Sequence, residues 1–140
     1  MKNVFYILVL LFVFGCSSKK ETKVIITQSK TPKQSEMAAL MLKMYAFNLE
    51  NKKLILEGNS PIDFPKEFLE IHTAKLTDSS NRNAVFNAFS SVYLKNLEQV
   101  FNAPKDSLIT KHNITVNSCI TCHQTTCVGP IPKIKKLLIQ

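Results

Sequence analysis

The sequence predicts an all-α fold: an antiparallel up-down-up-down four-helix bundle followed by a short basic C-terminal tail. Three observations predict it. Apolar residues recur at helical spacing in four successive stretches. Clusters of turn and capping residues divide those stretches at 58–61, 77–80 and 104–106. The connections are short enough to make consecutive helices antiparallel neighbours.

In helix A, Met37, Leu40, Met41, Met44 and Tyr45 recur at i, i+3, i+4, i+7 and i+8, and Phe47 and Leu54 follow. Ser35 can cap its start and Gly58 can end it. Asn59-Ser60-Pro61 turns the chain, and Asp63, with Pro65 behind it, opens helix B. Phe64, Phe68, Ile71 and the aliphatic stem of Lys75 fall on one face of B, which stops near Thr77-Asp78-Ser79-Ser80. Helix C starts near Asn81 and has the longest apolar stripe: Val85, Phe86, Phe89, Val92, Tyr93, Leu97, Val100 and Phe101. Pro104 and Asp106 end it and open helix D, which carries Leu108, Ile109, His112, Val116, Cys119, Ile120 and His123. The β-branched run Ile114-Thr115-Val116 opposes a helix by propensity, but the helical period continues through it. Gly129-Pro130-Ile131-Pro132 breaks helix D, and the tail from Lys133 to Ile139 is basic and amphipathic.

The chain of 140 residues suffices for one domain with one core. Ahead of that domain, Lys2 precedes an apolar run from Val4 to Phe14, the charged and apolar parts of a secretory signal. The run is too short to be a comfortable permanent span. It ends in Gly15-Cys16, which resembles a bacterial lipobox. The resemblance implies a leader at 1–15 and a diacylated Cys16 as the first mature residue, anchored stably by two acyl chains. Polar residues at 16–34 then read as a flexible tether, and 35–140 as the helical domain. Losing Lys2 with the leader takes the formal charge from +8 to +7. That balance suits an acidic protein partner or an anionic surface. Export excludes nucleic acid, and places the domain facing the periplasm or on the cell surface, at the inner or outer membrane.

With Cys16 lipidated, Cys119, Cys122 and Cys127 remain, all within nine residues. A disulfide framework would spread its cysteines along the chain, so the cluster points to a site. Cys119-Ile120-Thr121-Cys122-His123 has the Cys-x-x-Cys-His spacing that attaches haem c. On a helical turn the two thiols reach the two porphyrin vinyl groups, and the next histidine projects at the iron. One covalent haem is therefore expected on Cys119 and Cys122, with His123 as the proximal iron ligand. Two other readings compete with it. A thioredoxin-like redox pair expects a βαβ setting, and a zinc site would take Cys119, Cys122, His123 and Cys127 from one short segment.

A haem motif near the end of the last of four helices resembles the class II, cytochrome c′-like cytochromes. The resemblance covers roughly residues 35–127. It implies Cys119 and Cys122 as thioether sites and His123 as proximal ligand. The chain departs from that family after the motif, where it adds Cys127 and the Gly129-Pro130-Ile131-Pro132 tail.

For the sixth iron position the bundle order sets the start of helix A level with the end of helix D. Met37 or Met41 is then the better thioether candidate, since Met44 lies about 10 Å below Met37. His72, at the end of helix B, is the other candidate. His112, roughly 16 Å from His123 along one helix, is excluded from that iron and expected to be a core-edge histidine with a hydrogen bond. Lys133, Lys135 and Lys136 can meet propionates or an acidic partner. The expected function is electron transfer by a membrane-tethered monohaem cytochrome working with acidic redox partners. The alternatives are haem-based binding or sensing of NO, O2 or CO, and a lipid-anchored interaction module without haem. No acid–base pair or nucleophile constellation points to hydrolytic chemistry, so an electron carrier is expected rather than an enzyme.

Overall fold

The structure, a computed structural model, describes residues 34–61 and 63–140. The expected leader, Cys16 and the expected tether up to residue 33 lie outside the described residues. What is described is all-α: α1 (Glu36–Leu56), a 3-10 segment (Lys66–His72), α2 (Ala84–Phe101), α3 (Leu108–Thr126) and a single-turn α4 (Ile131–Ile134). A 3-10 turn, Lys135–Leu137, follows α4 directly.

Local chemistry sets the ends of these helices. The Ser35 hydroxyl accepts from the Ala38 amide at 3.1 Å and starts α1. The same helix stops at Gly58, whose φ of 79° suits a residue without a Cβ. There the Asn59 amide reaches back to the Leu54 carbonyl at 2.8 Å, the six-to-one bond of a Schellman end. Asn83 caps α2 through its Oδ1 and the Phe86 amide, 3.0 Å.

Helix B differs from the expectation. In place of an α-helix from Asp63 to about Thr77 there is only the seven-residue 3-10 segment. The Arg82 guanidinium donates to the carbonyls of Ile71 (3.3 Å), His72 (2.6 Å) and Ala74. Those acceptors would serve the next turn of a helix, so the chain leaves helical form there. The stem of Lys75 is not on an inner face either. Its side chain is 83% exposed, and its ammonium sits 3.6 Å from Glu36. The Lys75 backbone amide also donates to Glu36 (3.0 Å), and that bond is the main cause of a carboxyl pKa held below its ordinary value.

The main core gathers Met37, Leu40 and Met44 from α1, Phe68 and Ile71 from the 3-10 segment, and Phe86, Tyr93, Leu94 and Leu97 from α2. Cys119 and Cys122 pack against its edge. Leu97 is fully buried, and shortening such a leucine to alanine typically costs about 2–5 kcal/mol. Val85 and Val92, expected on the inner stripe of α2, are about half exposed, as is Ile109 on α3. The buried face of α2 runs through Ser90 instead, whose hydroxyl donates to the Asn87 carbonyl at 2.9 Å.

A second cluster joins Ile55 at the end of α1, Val100 at the end of α2 and Leu108 at the start of α3. Since Cys119 and Cys122 meet the beginnings of α1 and α2, α3 runs antiparallel to both. The tail returns over this arrangement and buries Ile134, Leu137 and Ile139. Two bonds join the Asn113 side chain to the Ile139 backbone (2.8 and 2.9 Å), and Lys52 donates to the carbonyls of Lys136 and Leu138. His112 is 1% exposed and its Nε2–H donates to the Leu137 carbonyl at 2.9 Å, the bonded core histidine that the sequence suggested.

Candidate functional site

A cleft of about 580 Å³ opens between α1, the last turns of α3 and the tail. Its α1 wall carries Met37, Met41, Met44 and Asn48, which recur at i, i+4, i+7 and i+11 and so share one helix face. Its α3 wall carries Cys119, His123 and Thr126, and the tail adds Ile134 and Leu137. At the rim the Lys133 ammonium stands 4.5 Å from the centre of the Tyr45 ring. Volumes of roughly 300–1,000 Å³ are ordinary for cofactor and small-molecule sites.

The helix pairing sets the levels across the cleft. Ile55 and Leu108 share a cluster, and equal steps along two antiparallel helices from that pair bring Met44 opposite Cys119, Met41 opposite Cys122 and Met37 opposite Thr126. Both methionines expected near the iron therefore line the same cleft as His123, and Met41 is nearest its level. The structure adds Met44, buried in the same wall. His72 is not in the cleft. It is exposed, with Nδ1 3.3 Å from the Ser90 hydroxyl of α2.

The end of α3 orients His123. The Cys127 amide donates to the His123 carbonyl at 3.0 Å and closes the helix. The Cys127 carbonyl in turn accepts from His123 Nδ1–H at 2.9 Å. A carbonyl can only accept, so this bond fixes the proton on Nδ1 and leaves the Nε2 lone pair free, as iron or zinc ligation requires. Position 127 thus acts on the histidine through its backbone. The Cys127 thiol is exposed.

Cys119, Cys122 and Cys127 are all free thiols. Burial pushes the Cys119 thiol up to about 12, with Cys122 beside it adding to the rise. Burial also raises Cys122, against a hydrogen bond from Thr126. This is the reverse of the lowered thiol in a nucleophilic Cys-x-x-Cys pair. Cys119 faces the cleft, while Cys122 packs at the core edge beside it. Among the described residues no three His, Cys, Asp or Glu side chains converge to hold a metal ion, so the four zinc candidates do not meet at one point.

No family model matches the chain, and neither the curated proteins nor the solved structures include a match. Among the described residues no helix is long and apolar enough to cross a membrane.

The residues present fit a haem c. Two thiols stand three residues apart on one helix, the next residue is an imidazole with Nε2 free, and thioethers line the opposite wall of a mostly apolar cleft. Sequence reasoning missed Tyr45 and Asn48 as parts of this cleft, and it set Met44 too far down α1 to take part. The spacing from Met37 to Asn48 signalled a shared face, but nothing local signalled that the tail folds back to complete the cavity.

Proposed function

We propose that this protein is a membrane-tethered monohaem c-type cytochrome that transfers electrons in the periplasm. The observation that carries the reading is the cleft in which His123, with Nδ1 bound to the Cys127 carbonyl, faces the methionines of α1. Cys119 and Cys122 would hold the haem through thioethers, and His123 Nε2 would be the proximal ligand. Met41 or Met37 would fill the sixth position. The haem would supply a one-electron iron couple, and His–Met ligation raises its potential.

The rest of the chain serves that role in this reading. The 3-10 segment takes the place of helix B in an up-down-up-down order resembling the class II cytochromes. The lipid on Cys16 and the tether would hold the domain beside its membrane, and the excess of basic residues would favour acidic redox partners. Cys16→Ser should release the domain from membranes or block processing.

The test is the spectrum of protein matured with haem. Low-spin iron with a near-infrared thioether-to-iron band is the expected result, and either Met41→Ala or Met37→Ala should abolish the band and raise the spin state. High-spin iron that binds carbon monoxide or nitric oxide rapidly would move the assignment from electron transfer to gas binding. A low-spin spectrum without the band, altered by His72→Ala, would require His72 to leave its place beside Ser90.

A further inference from the structure

Asn48 and Asn51 are each 2% exposed, on the buried face of α1. The two Nδ2 protons of Asn48 are both used, one to the Met44 carbonyl at 2.8 Å and one to the Tyr93 hydroxyl at 3.1 Å. This fixes the amide's orientation, because turning it over would set Oδ1 against the Met44 carbonyl. Among the described residues, Asn48 Oδ1 is therefore a buried acceptor without a partner, and Asn51 Nδ2 is a buried donor without one. Asn48 forms part of the cleft wall.

Buried amide atoms in folded proteins are nearly always bonded. Side chains three residues apart on a helix have Cβ atoms about 5–6 Å apart, which is the span that one molecule of water size bridges with two ordinary hydrogen bonds. The pair also selects what can sit there. An anion would meet the lone pairs of Asn48 Oδ1, and a cation would meet the protons of Asn51 Nδ2. Dioxygen or carbon monoxide brings no proton for Oδ1. Only a small neutral molecule that both donates and accepts satisfies the two atoms together. Asn48 lies opposite Thr115, about two helical turns from His123, so the site borders the cleft wall at Asn48, apart from the proposed iron ligands.

We propose that one water molecule is bound there, donating to Asn48 Oδ1 and accepting from Asn51 Nδ2–H. It completes a buried chain, Tyr93–Asn48–water–Asn51, beside the cleft wall. The proposal rests on α1 and α2 alone and needs no haem.

The test combines a thermal double-mutant cycle with a high-resolution crystal structure of the full chain. Asn51→Leu and Asn48→Leu should each lower Tm by about 5 °C or more, with Asn48→Leu the larger loss because it also strips Tyr93 of its donor. The double variant should fall no further than Asn48→Leu alone, because the water leaves with its second partner. Additive losses would overturn the proposal. The crystal structure should show one water within about 3.2 Å of both amide atoms, and none in Asn51→Leu. A wild-type structure without that density would overturn it equally.

Discussion

In the first half of α3, Leu108, His112, Thr115 and Val116 are closed over by the other helices and the returning tail. In the second half, Cys119, Cys122 and His123 are only partly buried, and two of the three border the cleft. Both halves contain a histidine bonded to a backbone carbonyl at 2.9 Å. In His112 the bond satisfies a buried imidazole and pins the tail to the core. In His123 the same kind of bond orients a ring whose other nitrogen stays free. The difference teaches that one helix divides holding the fold from lining the cleft, and that the division follows where the tail lands.

The largest stability effect is expected in the closed half. His112→Ala leaves a cavity and strands the Leu137 carbonyl, so it should cost about 3 kcal/mol in denaturant unfolding. Protonation should also lower stability, because it places a charge in the core while the bond to Leu137 is kept. Burial holds the His112 imidazole below its ordinary pKa, against the opposing hydrogen bond to Leu137 and with Lys52 adding to the depression. The unfolded chain therefore binds this proton first as pH falls. The contribution is full above the unfolded pKa of about 6.5, is lost as pH drops through that value, and levels off below the folded pKa. Unfolding curves of wild type and His112→Gln between pH 7.5 and 5 should show this slope in wild type only. An equal slope in both would assign it to another group.

Asn113→Ala removes two bonds to Ile139 and should cost about 1–2 kcal/mol. It should also speed amide exchange in the tail from Ile134 onward, while α2 stays protected. In the open half, His123→Ala should cost the haem-free chain about 1 kcal/mol or less, since it removes a half-buried ring with one local bond. A loss as large as that of His112→Ala would mean that both halves of α3 carry the fold, and would end the comparison.

The elements with local signals were legible in the sequence. Ser35 and Gly58 bound α1 as expected, and the helical period carried through Ile114-Thr115-Val116 despite its propensity. Helix B was not legible, because the capture of three carbonyls by Arg82 happens across a loop and leaves no periodic trace. Val85 and Val92 read as core by hydrophobicity, yet the helix turns Ser90 inward and leaves them out. For the candidate site, the spacing of Cys119, Cys122 and His123 was plain. The carbonyl that orients His123 was hidden in the backbone of Cys127, and the third wall of the cleft in a tail whose docking depends on Asn113 and Lys52.

The central proposal is that the open half of α3 carries a covalent haem, and the direct measurement is the mass of denatured protein after acid-acetone extraction. The chain should be produced with its leader in a host that attaches haem outside the cytoplasm. The account predicts that the polypeptide keeps the mass of one haem, and that the double variant Cys119→Ala, Cys122→Ala keeps none. Wild-type protein whose haem extracts completely, or that carries none, would contradict the account.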